Sequence, residues 1–251
     1  MSTTVSPDAY RAELEQQAAS WRRKPALRAL YQRWFELIGS RLSDVGPTLE
    51  LGCGCGELGR HVGSVIRSDN VDTPWCDLVA DGKRLPFADG VLGNVVIMDV
   101  IHHIAAPLKA LAECRRVLAP GGRVVLLEPS ISLLGRFVYG VLHHEDVDLS
   151  YDITRPVEDN ALFANGGIPT LLFGRGREGW KALGPGLDLL ENTALTGPSY
   201  LLTGGFTYRG VLPTPLVRPL QWLEDGIAGS GLGGWMALRM LVVLQRSGLS
   251  R

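Results

Sequence analysis

The stretch that most restricts how this 251-residue chain can fold is Thr48–Val62, Thr-Leu-Glu-Leu-Gly-Cys-Gly-Cys-Gly-Glu-Leu-Gly-Arg-His-Val. Apolar Leu49 and Leu51 run into glycines at alternate positions, Gly52, Gly54 and Gly56, and a helix-compatible segment follows. This is the pattern of a strand, a tight turn and a helix start. Glycine meets two needs at such a turn: it reaches positive φ without a Cβ clash, and it leaves bare backbone for a nucleoside-type cofactor to approach. Gly54-Cys55-Gly56-Glu57-Leu58-Gly59 also satisfies G-x-G-x-x-G, so the turn alone admits a nicotinamide or flavin cofactor.

The rest of the chain narrows the setting. A 45% hydrophobic content and a formal net charge of −1 are ordinary for a globular protein; they exclude a disordered chain and give no electrostatic reason for a nucleic-acid partner. The length suffices for one large α/β domain or two small ones. The cysteines at 53, 55, 76 and 114 contain no C-x-x-C and complete no zinc-like Cys/His set, so no metal site is expected. Cys53 and Cys55 read as small residues in a crowded turn. The segment Met1–Gln17 is polar, and no uncharged apolar run approaches the roughly 18 residues of a membrane span. The expectation is a reduced, cytoplasmic protein without an integral membrane segment.

Residues 1–44 read as an N-terminal helical cap, starting at Pro7-Asp8 and broken at Pro25, with Leu27, Leu30, Tyr31, Trp34, Phe35 and Ile38 at helical spacing. Trp21-Arg22-Arg23-Lys24 reads as a solvated basic helix end with one buried Trp, or else as part of a cap over the cofactor pocket. Residues 45–130 alternate short apolar runs with amphipathic segments, the signature of βα units and a parallel sheet. The runs are Thr48–Leu51, Ser64–Arg67, Cys76–Ala80, Val95–Met98 and Arg123–Leu127. A helix over Pro107–Leu118 is stopped by Ala119-Pro120-Gly121-Gly122. Residues 131–185 read as a variable substrate or lid segment: an apolar helical face over Leu133–Leu142, a polar cluster from His143 to Asp148, and an irregular stretch from Tyr151 to Pro169. Residues 186–251 complete the sheet with strands at Leu187–Leu190 and Leu238–Leu244, and a helix spans Leu216–Ile227.

Ligands of such sheets bind outside the carboxyl ends of the strands. Acidic residues gather there: Glu50 ahead of the glycine turn, then Asp69, Asp81, Asp99 and Glu128. Any one of them reads equally well as a turn former or helix cap. The set is harder to ascribe to packing alone.

Four segments in order carry a family likeness: Leu49-Glu50-Leu51-Gly52-Cys53-Gly54-Cys55-Gly56, Asp81-Gly82-Lys83-Arg84-Leu85-Pro86-Phe87, Met98-Asp99-Val100-Ile101-His102-His103-Ile104, and Arg116-Val117-Leu118-Ala119-Pro120-Gly121-Gly122-Arg123. Over roughly residues 45–130 the chain resembles class I S-adenosylmethionine-dependent methyltransferases of the ubiquinone/menaquinone-biosynthesis type. The resemblance implies a Rossmann-like α/β methyltransferase fold: a seven-stranded, mostly parallel sheet with helices on both faces and an antiparallel last strand inserted beside its neighbour. It implies S-adenosyl-L-methionine as cofactor. Gly52, Cys53, Gly54 and Gly56 would line its methionine part, with Glu50 supporting the turn. Asp69 would take the ribose hydroxyls, with Asp72 as a rival because Asn70-Val71-Asp72-Thr73-Pro74-Trp75 replaces the usual helix. Asp81 would sit by the adenine amino group, with the Gly82 backbone near the ring, and Asp99 would meet the methionine amino group.

The activity implied is methyl transfer to a small, hydrophobic acceptor, through a hydroxyl or carboxyl oxygen of a metabolite or lipid-like compound. An oxygen acceptor calls for a general base near neutrality, and His103, His144 and Glu145 are the candidates. His102 and His103 belong to the fold motif and read equally as structural. The Leu133–Leu142 face reads as core, as the wall of an acceptor pocket, or as a contact with a membrane surface. Two readings compete. An NAD(P)-dependent oxidoreductase would need an acidic residue roughly 20 positions after the turn and a Tyr/Lys or Cys/His set, neither of which is evident. The other is a non-catalytic partner subunit of the same fold.

Overall fold

The computed structural model describes residues 7–142, 146–155, 163–174, 176–195, 197–230 and 233–248. Two helices come first, α1 (Pro7–Arg23) and α2 (Pro25–Gly39). Pro25 opens α2, where a missing N–H costs nothing because no carbonyl precedes it in the helix. Then follow β1 (Thr48–Leu51), α3 (Gly59–Val62), β2 (Val65–Asp69), β3 (Leu78–Val79), β4 (Leu92–Met98), α4 (Pro107–Val117) and β5 (Leu118–Pro129). The remainder contributes α5 (Leu133–Leu142), α6 (Ile168–Phe173), β6 (Leu187–Leu195), α7 (Pro198–Thr203), α8 (Thr214–Ala228), α9 (Gly233–Met236) and β7 (Arg239–Arg246).

The strands form one seven-stranded sheet in the order β3-β2-β1-β4-β5-β7-β6. β1 to β5 pair in parallel, while β7 runs antiparallel to both β5 and β6. Six strands therefore share one direction and the last in sequence is inserted against them, as expected from the resemblance. A dinucleotide-binding sheet keeps all six strands parallel in the order 3-2-1-4-5-6, so the topology separates this chain from that class.

Strand alternation divides the core. Leu49, Leu51, Val95, Ile97, Val124 and Leu126 face one layer, packed with Leu111 of α4 and Leu172 of α6. Val96, Val125, Leu127, Leu241 and Val243 face the other, covered by Leu30, Trp34 and Ile38 of α2 and Val217 of α8. The central strands are apolar on both sides because helices cover both.

Several elements depart from the sequence expectation. The helix after the glycine turn is a single turn, Gly59–Val62, ended by Gly63 at φ 88°, and β2 starts at Val65. That crossover is close to the minimum of about a dozen residues a parallel connection needs. Leu58 and Val62 pack with α2, which fills the space a longer crossover helix would take. The third strand shrinks to Leu78–Val79 at the sheet edge. Ala119–Gly122 lies inside the span of β5 as a bulge, since Leu92 pairs with Leu118 but Asn94 with Arg123. Among the described residues no helix is long and apolar enough to cross a membrane.

Candidate functional site

The glycine turn leaves the carboxyl end of β1 and is shaped from β2. The N–H groups of Gly52 and Cys53 both donate to the Ser68 carbonyl, at 2.9 and 2.8 Å. The Gly54 N–H donates to Asp69 Oδ2 at 3.1 Å. Gly52 has φ 73°, and a Cβ there would collide with Val100, so both backbone conformation and packing demand glycine. Gly54, at φ 52°, faces open space bounded by Leu14 of α1, whose Cδ2 would lie 3.8 Å from a Cβ. Asp69 is buried, and its other oxygen accepts the Asn70 N–H at 2.8 Å. The Tyr10 hydroxyl of α1 donates to Asp69 at 3.4 Å. Asp72, the rival for the ribose, has an exposed side chain and offers its carbonyl to Arg11 Nε. Of the two acids, Asp69 is the one aimed at the turn, and α1 lies across it.

Glu50 sits beneath the turn, 5% exposed, and its Oε2 has no hydrogen-bond partner among the described residues. Burial pushes its carboxyl up to about 8, against the opposing pull of Arg67. Arg67 itself is held by Asp77 through Nη2–Oδ1 at 2.6 Å and Nε–Oδ2 at 3.0 Å. Burial also raises Asp69, offset by the N–H groups of Gly54 and Asn70, and pushes the Cys53 thiol up, which suits an unreactive small residue. These residues fit a cofactor carrying ribose hydroxyls and a cationic methionine end. They offer a bare turn face at Gly54, an unpartnered buried carboxyl oxygen at Glu50, and a carboxylate at Asp69 already tied to the turn. Beside the turn, Trp21, Arg22, Glu57, Arg60 and Trp75 line a cleft of about 310 Å³, so the basic end of α1 is a wall of this region.

The Asp81–Phe87 segment is built by its own turn and by α4. Asp81 is exposed, and its Oδ1 accepts the Lys83 N–H at 2.9 Å. Gly82 is buried against β1, where a Cβ would fall 2.9 Å from Leu51 Cδ2. Arg116 of α4 donates to the carbonyls of Phe87 and Leu85 at 2.8 and 3.0 Å, and Glu113 accepts the Leu85 N–H at 3.0 Å. Two of the motif segments thus stand together because one staples the other.

The segment after β4 is organised by a residue to which sequence reasoning assigned no role. Glu128, at the end of β5 and 1% exposed, accepts the N–H groups of Val100 and Ile101 at 2.8 and 2.9 Å and pairs with His102 Nδ1 at 2.6 Å. His102 is buried in this arrangement, whereas His103 is exposed, its ring tilted 41° against that of His102 with centroids 4.2 Å apart. His102 is thus held by the fold, and His103 is exposed beside it. The His102 carbonyl accepts the N–H of Asn165, whose side chain binds Asp148 and Gly167. That ties the segment after α5 to the strand ends. His144 and Glu145, the other candidates for acceptor chemistry, lie outside the described residues.

Asp99 is the sole described residue other than glycine with positive φ, at 56°. Its carboxylate pairs with Arg239, the first residue of β7, which is 4% exposed. The guanidinium carbon lies 4.5 Å over the Trp34 ring and 5.7 Å from that of Tyr200. Tyr31 completes the aromatic surround, 4.8 Å from Trp34. Nothing in the sequence marks Arg239, which reads as the polar start of an apolar strand. Among the described residues, no group of three or more His, Cys, Asp or Glu could hold a metal ion.

A sheet of this order, a glycine turn after its first strand and acids at the next strand ends define the class I methyltransferase fold. Residues 49–126 match the methyltransferase domain family. A demethylmenaquinone methyltransferase of Thermus thermophilus is 51% identical over 51 residues, 20% of this chain and 23% of that protein. The ubiquinone/menaquinone biosynthesis C-methyltransferase UbiE of Burkholderia mallei is 28% identical over 124 residues, 39% of this chain and 50% of that protein. The chain thus spans about a quarter to a half of the length of the curated relatives it matches. A solved SAM-dependent methyltransferase of Thermotoga maritima shares the fold at a TM-score of 0.52 and 14% identity, over 94% of this chain and 99% of the other.

Proposed function

We propose that this protein binds S-adenosylmethionine in the glycine turn and transfers its methyl group to a small-molecule acceptor. The observation that carries this reading is the turn itself, bonded through Gly54 to the carboxylate at the end of the neighbouring strand. In this reading Gly52, Cys53, Gly54 and Gly56 line the methionine part above Glu50. Asp69 takes the ribose hydroxyls, Asp81 and the Gly82 backbone flank the adenine, and Asp99 faces the methionine amino group. The cofactor supplies the activated methyl group. The chain aligns the acceptor and excludes water, and alignment of this kind is worth roughly 7–11 kcal/mol. The helices of residues 1–44 serve as a cap, through Tyr10 and Leu14, and residues 131–185 form the acceptor side.

The acceptor is a small hydrophobic molecule reacting through a hydroxyl or carboxyl oxygen. A carbon activated by such an oxygen is the second reading, favoured by the similarity to a protein named as a C-methyltransferase. His103 is the base within reach of water and acceptor, and His144 and Glu145 are further candidates on the acceptor segment.

Thermal unfolding with ligand tests the assignment. Saturating S-adenosylhomocysteine at about 100 Kd adds about 2.7 kcal/mol, roughly 5–10 °C for a chain of this size. A shift with NAD(P)H and none with S-adenosylhomocysteine would sink the reading.

A further inference from the structure

We propose that Arg239 recognises an anionic oxygen on the acceptor, a carboxylate or an acidic phenol or enol, and that Asp99 is the counter-ion it exchanges for that oxygen. The inference rests on the methyltransferase reading above and names the acceptor class for the same site.

Two ion-paired arginines elsewhere in the molecule grip their carboxylates through two bonds each. Arg67 grips Asp77 through Nε and Nη2, and Arg41 grips Glu191 in the same way at 3.0 and 3.1 Å. Arg239 is more deeply buried than either, yet it meets Asp99 through Nη2 alone, and its buried Nε has no partner among the described residues. Arg33 and Arg123 also have a buried Nε without a partner among the described residues, but Arg123 is only half-buried and 31% of the Arg33 side chain is exposed, against 5% for Arg239. A guanidinium fork offers parallel N–H groups that match a carboxylate, and here half of that fork is unused.

The surroundings favour exchange. Asp99 is the open side of the pair, with 33% of its side chain exposed. Its left-handed backbone is held by its own N–H bond to the Leu127 carbonyl and by Glu128, which anchors the next two N–H groups. The pair stands where β4 ends and β7 begins, at the strand ends where ligands of such sheets bind. Trp34, Tyr200 and Tyr31 give the guanidinium flat, apolar walls, suited to a planar acid whose anion is to be desolvated.

The test is binding of cinnamate and of cinnamamide, an anion and its neutral analogue, to the full chain saturated with S-adenosylhomocysteine. Wild type should prefer cinnamate by about 10–100-fold, the range of a charge-assisted hydrogen bond. Arg239→Gln should abolish the preference while S-adenosylhomocysteine still binds, and Asp99→Asn, measured at saturating S-adenosylhomocysteine, should tighten cinnamate. Should Arg239→Gln fail to fold, the wild-type preference and the Asp99→Asn response decide. Equal binding of the two probes by wild type, no millimolar cinnamate binding, or weaker cinnamate binding by Asp99→Asn would overturn the proposal. Absence of S-adenosylhomocysteine binding would instead remove the methyltransferase reading beneath it.

Discussion

Two polar clusters stand at the strand ends, and they are built on different scales. Around Glu50 and Asp69 the bonds are short-range in sequence: 15 residues separate Gly54 from Asp69, and 18 separate Ser68 from the Glu50 carbonyl it holds. Around Asp99 the partners come from afar, with Glu128 26 to 28 residues away from the groups it binds and Arg239 140 residues from Asp99. The first cluster lowers its charge by keeping Glu50 protonated, while the second offsets charge with charge. The difference assigns them different work. The local cluster is fixed by one βαβ unit and suits an invariant cofactor, and the distant one joins the two halves of the sheet and suits a variable acceptor.

The largest expected effect breaks the distant cluster. Glu128→Ala leaves the buried Ile101 N–H, the half-buried Val100 N–H and the His102 ring without their acceptor and should destabilise the protein by about 3–5 kcal/mol in denaturant titration. A loss below about 1 kcal/mol would mean that water or a neighbour replaces the carboxylate.

The local cluster should respond to pH. Folded Glu50 holds its proton to about 8, while the unfolded chain releases it near 4.5, so the folded state binds more protons in between. Its contribution is fully present below about pH 4.5 and is lost as pH rises through about 8. The loss should be of order 5 kcal/mol, and Glu50→Gln should flatten it. An unchanged slope in that variant would show that Glu50 is not the titrating group. A smaller effect separates turn from ligand: Asp81→Ala should cost at most about 1 kcal/mol of stability, the worth of an exposed side-chain cap. It should nevertheless weaken S-adenosylhomocysteine in calorimetry if Asp81 meets the adenine. Unaltered affinity would leave it as a turn former.

The same contrast explains what the sequence made legible. Thr48–Leu51, the parallel core and a strand at Leu238–Leu244 were readable because apolar runs, glycines and turn residues carry their information within a few positions; the antiparallel direction of that strand was implied by the resemblance alone. Helix α4 is one residue shorter than its stripe because Leu118 already pairs with Leu92. β6 runs on through Glu191, Asn192 and Thr193, which break the apolar pattern because an edge strand faces solvent along much of its length. The room left for α3 was legible, since the run expected at Ser64–Arg67 becomes β2 at Val65–Asp69; Gly63 at φ 88°, which ends the helix, was not. Asp69 was readable as a strand-end acid, but its bond to Gly54 was not. The roles of Glu128 and Arg239 were out of reach, since their partners are chosen by strand order and not by spacing.

The central claim is that the Gly54 face of the turn receives S-adenosylmethionine. Calorimetric titration of S-adenosylhomocysteine into wild type and Gly54→Ala tests it directly. One-site binding to wild type is expected, weakened about tenfold or more in a variant that pays only about 1–2 kcal/mol for its left-handed backbone. Equal affinity in the two proteins, or saturable binding of NADH with no heat from S-adenosylhomocysteine, would contradict it.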